Sequence, residues 1–180
     1  AVAKLKVSTG TDVSGLTLDS DVTEFIVTSG TLTVSTAQAT GRVISGAGGV
    51  TVNALAADAN LSSVSASGTV TANVADNLDY SANTNIATVD AFVIAANKTG
   101  SFSAAQGAKT ITLGSGSIAK VIAASDISGT TLSASVTKID VSNSATASLS
   151  AAQAQLDITL GSSAVAKLKV STGTDVSGLT

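Results

Sequence analysis

Residues 164–180 read AVAKLKVSTGTDVSGLT, and residues 1–17 read the same without a mismatch. A chance match of seventeen residues is negligible, so residues 1–163 form one tandem-repeat unit and residues 164–180 begin the next identical copy. Self-similarity at a fixed period is the mark of repeat architectures, and it outranks any local propensity in deciding the fold.

Finer repeats lie inside the unit. Ser35-Thr-Ala-Gln38 recurs as Ser103-Ala-Ala-Gln106 and Ser150-Ala-Ala-Gln153, each after a Val-rich stretch that starts at Val22, Val89 or Val136. Five residues after each Gln stands a β-branched residue (Val43, Ile111, Ile158), and three later a Gly (Gly46, Gly114, Gly161). These anchors divide the unit into sub-units of roughly 1–49, 50–116 and 117–163. The Gln residues are 68 and 47 residues apart, a difference of 21 that reads as one additional coil around Gly68–Ala87. Reading the shorter interval as two coils and the longer as three predicts about seven coils per unit, each of about 23 residues, a length usual for solenoid repeats.

The local pattern is that of strands. Apolar residues alternate at Ala3, Leu5 and Val7, at Val70, Ala72 and Val74, at Ile139 and Val141, at Ala147, Leu149 and Ala151, and at Leu156, Ile158 and Leu160. Period two places one set of side chains on one face of a strand. Gly-rich clusters such as 45–49 and 114–116 separate the runs and supply corners. With no Pro in the chain, every residue can donate to a ladder. Ala104–Ala108 and Ala151–Ala154 tolerate helix but are short, enough for one turn at a corner.

Composition narrows the fold class. Apolar residues make up 44% and come from Ala, Val, Ile and Leu; the only rings are Phe25, Phe92, Phe102 and Tyr80. Small branched side chains suit a narrow, regular interior. The reading is therefore all-β: a β-solenoid whose coils pair with the coils above and below. The competing fold, tandem β-sandwiches, has domains of about 100 residues around an aromatic core. Here there is no Trp, and the anchors recur at about half that length.

The anchor segments, such as VDAFVIAANKTGSFSAAQGAKTITLGSG and LSASVTKIDVSNSATASLSAAQAQLDITLGSS, resemble the Ala/Ser/Thr/Asp-rich β-strand repeats of very large secreted bacterial surface proteins. The shared pattern is a Val, an apolar residue three later, Val or Ile two after that, then S-A-A-Q or S-T-A-Q; it covers about half of the unit. The resemblance implies an extracellular or cell-surface location, as a filament, sheath or fibre exported by a type I system. It also implies the alternative of a stalk for a repetitive adhesin whose binding domain lies elsewhere. Such proteins often carry calcium-binding nonapeptides, but the G-G-x-G-x-D pattern does not occur here.

Candidate chemistry is sparse. With no His or Cys, one arginine (Arg42) and one glutamate (Glu24), the familiar triads and imidazole or thiolate metal sites are excluded. An identical site in every copy would also be odd for an enzyme, and no catalytic, cofactor-binding or metal-binding residue is assigned. Asp12-Val-Ser-Gly15 and Asp126-Ile-Ser-Gly129, with Asp58-Ala-Asn60 as a weaker cousin, each offer one carboxylate, whereas calcium takes six to eight oxygens. They read as turns capped by a carboxylate. Asp76 and Asp79, and Asp19, Asp21 and Glu24, read as surface charge that blunts aggregation.

Thr-x-Thr pairs at Thr9, Thr31, Thr69 and Thr110 raise the thought of an ice-binding ladder, but the intervals between them are unequal and do not give one pair per coil. Asn60-Leu-Ser62 and Asn97-Lys-Thr99 match the N-glycosylation acceptor pattern, which carries little weight in a bacterial chain. Nine scattered basic residues form no nucleic-acid surface, and no apolar run approaches a membrane span. The expected partners are other copies of the chain, along the axis and laterally.

Overall fold

A computed structural model describes residues 3–170. Strands are numbered along the chain and fall into four sheets. The first contains β1 (Ala3–Val7), β3 (Val22–Val27), β5 (Val43–Gly46) and β7 (Val64–Ala66). The second runs through β2 (Thr11–Asp12), β4 (Thr31–Ser35), β6 (Gly49–Asn53), β8 (Val70–Val74), β10 (Ala91–Ile94) and β12 (Thr110–Leu113). The third holds β9 (Leu78–Asp79), β11 (Thr99–Phe102), β13 (Ile118–Ala123), β14 (Val136–Val141) and β16 (Asp157–Leu160). β15 (Thr146–Leu149) and β17 (Val165–Leu168) make the fourth.

Every pairing between these strands is parallel. Parallel neighbours cannot be joined by a tight hairpin. Here each circuit of the coil supplies the crossover, and the fold is a β-solenoid.

The register corrects the coil length. Leu5 faces Phe25, Thr51 faces Thr71, Val93 faces Thr112 and Ile139 faces Ile158. A coil therefore takes about 20 residues, at the short end of the range for solenoid repeats, rather than about 23. A 163-residue unit holds about eight such coils, not seven. The reason lies in where the anchors sit. The first Val-rich segment forms β3 and β4, in sheets one and two; the second forms β10 and β11, in sheets two and three; the third forms β14 and β15, in sheets three and four. Each anchor thus stands one side further round the coil, and the interval from Gln106 to Gln153 is about two and a third coils, not two whole ones.

A second correction concerns the first anchor. Ile111 and Ile158 point inward opposite Phe92 and Ile139, but the residue that does this after Gln38 is Ile44, opposite Phe25; Val43 faces Glu24 and is exposed. Gly114 and Gly161 donate their N–H to Ile94 O and Val141 O, and the matching donor to Val27 O is Gly48, not Gly46. The corner after Gln38 is longer and includes Gly41, at φ +75°. A slip of one residue along a strand exchanges inside and outside, which is why the count from Gln38 misleads.

The spacing of three between Val22 and Phe25, and between Val136 and Ile139, also has a structural cause. The register shifts between Ala3 and Lys4 opposite the first pair, and between Ala119 and Lys120 opposite the second. One extra residue, Thr23 or Thr137, bulges each strand and interrupts its period of two.

The interior is a set of aliphatic columns. Val34, Val52, Ala72, Phe92 and Ile111 stack in register and are buried, with the small Ala72 beneath the large Phe92. Rings concentrate at one level: Phe102 lies 5.8 Å from Tyr80 and 4.8 Å from Phe92. Gly100 leaves the space they need, since a Cβ there would stand 2.8 Å from the Phe102 ring. Burial pushes the Tyr80 phenol above its ordinary pKa, with Asp76 adding to the effect, so the hydroxyl keeps its proton and donates to Leu55 O at 2.7 Å.

The corner between the first two sheets is a column of glycines. A Cβ on Gly68 would lie 2.6 Å from the Gly48 carbonyl, one on Gly48 would lie 2.8 Å from Gly30 O, and one on Gly30 would lie 2.6 Å from Thr9 C. These contacts are with backbone, which cannot swing aside. Gly68→Val is expected to lower stability by about 1–3 kcal/mol. Gly10→Ala, with nothing within 4 Å of the added carbon, should stay within about 0.5 kcal/mol of the parent. Urea denaturation of the two variants checks the contrast.

Candidate functional site: the glutamine corners

The Ser-x-Ala-Gln anchors close the corners of the coil. Ser35 is the N-cap of α1 (Thr36–Ala39); its Oγ accepts from the Gln38 N–H at 3.3 Å, and Gln38 Oε1 accepts from the Ser35 N–H at 2.9 Å. Ser103 and Gln106 repeat this capping box on α2 (Ala104–Gly107). Ser150 and Gln153 keep the same reciprocal bonds, although the turn there is a 3-10 turn over Gln153–Gln155. Reciprocal capping satisfies two N–H groups that a short helix leaves unpartnered. No other helix among the described residues exceeds one turn, as expected for Ala-rich stretches that run into β-branched residues.

With Oε1 committed, the amide nitrogen is left with two hydrogens, and both cross to the preceding coil. Gln38 Nε2 donates to Val13 O at 2.7 Å and to Leu16 O at 2.8 Å. Gln106 Nε2 donates to Tyr80 O at 3.0 Å and Asn83 O at 2.8 Å. Gln153 Nε2 donates to Ile127 O and Thr130 O, both at 2.8 Å. All three glutamines are buried, so each of these bonds replaces one that water would otherwise have made.

The acceptors belong to the Asp-x-Ser turns. Asp12 Oδ1 accepts from the Ser14 N–H at 2.8 Å and hydroxyl at 2.7 Å; Asp126 Oδ1 does the same with Ser128 at 2.9 and 2.6 Å. Asp79, which the sequence alone presents as surface charge, is the third member and accepts from the Ser81 N–H at 2.9 Å. In each case the glutamine grips the carbonyls one and four residues after the Asp. The two motifs are halves of one clasp, an Asp-x-Ser loop and the Ser-x-Ala-Gln corner of the following coil.

At the weaker cousin the capping residue is Asn60 rather than Asp58; its Oδ1 accepts from the Ser62 N–H at 3.1 Å and hydroxyl at 2.7 Å. The coil above has no glutamine; the Thr88 hydroxyl donates to Leu61 O at 3.3 Å, and Asn83 holds carbonyls that precede the cap. Its Nδ2 donates to Ala57 O and Ala59 O, both at 2.9 Å.

The remaining charged candidates also face the scaffold. Arg42 donates to Val22 O at 2.8 Å and Gln38 O at 3.0 Å, a brace between coils. Glu24 meets Lys4 at 2.7 Å, Asp140 meets Lys120 at 2.6 Å, and Asp157 meets Lys138 at 2.7 Å, all across neighbouring strands. Asp19 accepts from the Asp21 N–H at 2.9 Å. Among the described residues no three acidic side chains converge, and no helix is long and apolar enough to cross a membrane.

The threonine pairs behave differently from their sequence spacing. Thr33, Thr51, Thr71 and Thr110 share one outward column of the second sheet, interrupted by Ala91. The interval from Thr31 to Thr69 is therefore two coils, and Thr110 lies two coils above Thr71, so the pair at Thr110 is displaced by two residues along the strand. The column is still not an unbroken ladder of pairs, because Gly49 faces Thr31 and Val93 faces Thr112.

The clasp has a pH signature. Hydrogen bonds from the Ser14 hydroxyl and amide hold the Asp12 carboxyl below its ordinary pKa; the Lys169 ammonium first, then Ser128, does so for Asp126. A carboxyl whose folded pKa is depressed contributes stability above its unfolded value, about 3.9, and that stability is lost as pH falls toward the folded value. Thermal midpoints are expected to stay level from neutral pH to about 4 and to fall below it. Asp12→Asn, which copies the natural cap at Asn60, should make the acid slope shallower.

No family model matches the sequence, and comparison with curated proteins and with solved structures likewise returns no match.

Proposed function

We propose that the chain is a structural repeat segment of a long extracellular filament, sheath or surface fibre, in which each 163-residue unit adds length along one axis and catalyses nothing. One observation carries the reading. β17 lies in the second copy of the duplicated segment, with Ala166–Leu168 repeating Ala3–Leu5 of β1, yet it continues the ladder on β15 without a break. Thr146 pairs with Val165, Ala147 with Ala166, Ser148 with Lys167 and Leu149 with Leu168. Lys169, the counterpart of Lys6, reaches back to Asp126 at 2.8 Å. A new copy thus joins the old one by the same backbone pairing that holds coils together inside the unit. Nearest-neighbour stacking of this kind lets a rod grow by duplication. The engagement of Arg42 and Glu24 in bonds between coils supports a scaffold rather than a reaction site.

Chains carrying one, two and four units test this. At about 4.8 Å per coil, each unit is expected to add roughly 38 Å of straight rod, read by electron microscopy and small-angle scattering. Strings of compact beads joined by flexible links would overturn it.

A further inference from the structure

The three larger sheets differ in what they show to the outside. Outward positions of the first carry Lys4, Lys6 and Glu24, and those of the third carry Lys120, Lys138, Asp140 and Asp157. From β4 to β12 the second presents Thr31, Thr33 and Ser35, then Gly49, Thr51 and Asn53, then Thr71 and Asn73, then Ala91 and Val93, then Thr110 and Thr112. None of these is charged. Charge lies around this stretch: Asp12 on β2 stands in the outward column beside Thr33, Asp90 and Lys109 precede β10 and β12, and Asp76 and Lys98 pair beyond the ends of β8 and β10. An uncharged centre with a charged margin is the layout of a protein interface.

We propose that this face is where one copy of the unit packs laterally against a second copy, face to face. The inference rests on the fibre reading and names its lateral partner. Like packs against like here at little cost, because no ion has to leave water. The in-register Thr and Asn side chains offer both donors and acceptors to a matching set. Asn73 already donates to Asn53 Oδ1 at 2.7 Å within the face, so its side chains are fixed before contact.

Size decides how the contact behaves. Five strands about 4.8 Å apart and about five residues at about 3.3 Å each give a face of roughly 400 Å². A stable pair needs about 800 Å² from each partner. One unit alone therefore meets its partner weakly and transiently, and two consecutive units reach the threshold. Lateral association is thus expected to strengthen steeply with the number of copies in the chain.

The chain has no cysteine, so single-cysteine variants report contact directly. Thr51→Cys and Thr71→Cys mark the two central strands of the face, and Ser45→Cys and Ser65→Cys mark the first sheet. In the full chain under mild oxidation, disulfide dimers should form at least about five-fold faster from the first pair of variants than from the second. Adding Thr33→Lys and Asn73→Lys should bring the fast pair down to the control rate. Equal rates for all four variants, or fast rates that persist with the lysines present, would overturn the lateral face. Either result would leave the per-unit length increment of the fibre test untouched, whereas loss of that increment would remove the fibre reading itself.

Discussion

Phe102→Ala is expected to lower the free energy of unfolding by about 3–5 kcal/mol. The side chain is fully buried, stacked on Tyr80 and tilted against Phe92. Deleting it leaves a cavity where the walls cannot close in. β11 is pinned by parallel ladders to β9 on one side and β13 on the other, and Gly100 already has no side chain to lean into the gap. The loss should appear as a lower urea midpoint. Amide exchange should quicken first in the coils around residues 78–123, since each coil leans on its neighbours. A cost below about 1 kcal/mol would mean that the ring cluster is not the plug described above.

Gln106→Ala ranks next, with an expected loss of about 2–4 kcal/mol. The substitution removes both donors from Tyr80 O and Asn83 O and the acceptor from the Ser103 N–H in one step. Ser103→Ala removes only the cap on Gln106 N and should cost about 1 kcal/mol. If the two variants melt together, the bonds to the preceding coil contribute little and the glutamine is only a helix cap. Gln153→Ala is an independent copy of the experiment in a different pair of coils.

The β-solenoid was legible from the exact duplication and the alternation in segments such as Val70–Val74, because parallel stacking makes the same demand on every coil. The coil length was not legible from the Ser-x-Ala-Gln anchors, since they do not sit on one side of the coil. A better ruler was present in Gly10, Gly30, Gly48 and Gly68, whose near-regular recurrence reports one coil per step. At Gly30, Gly48 and Gly68 glycine keeps that spacing because backbone passes over the backbone of the preceding coil at this corner.

The clasp was half visible. Its Asp-x-Ser turns at Asp12 and Asp126 were readable as capped loops, but their connection to the glutamines was not, because the two halves lie more than a full coil apart. The signal was a nearly constant separation between each glutamine and the residue that follows the Asp. Val13 and Gln38 are 25 residues apart, while Tyr80 and Gln106, like Ile127 and Gln153, are 26 residues apart. That spacing would also have picked Asp79 out from the surface charges around it.

Because the clasped corner moves to a new side at each recurrence, no side of the rod collects all the helical turns while another collects only flat ladder. A seam of softer material running down one flank would make a long filament bow toward or away from it. Distributing the corners around the axis removes that bias, so in the proposed fibre bending stiffness would be shared among the sides and many copies in series would stay straight.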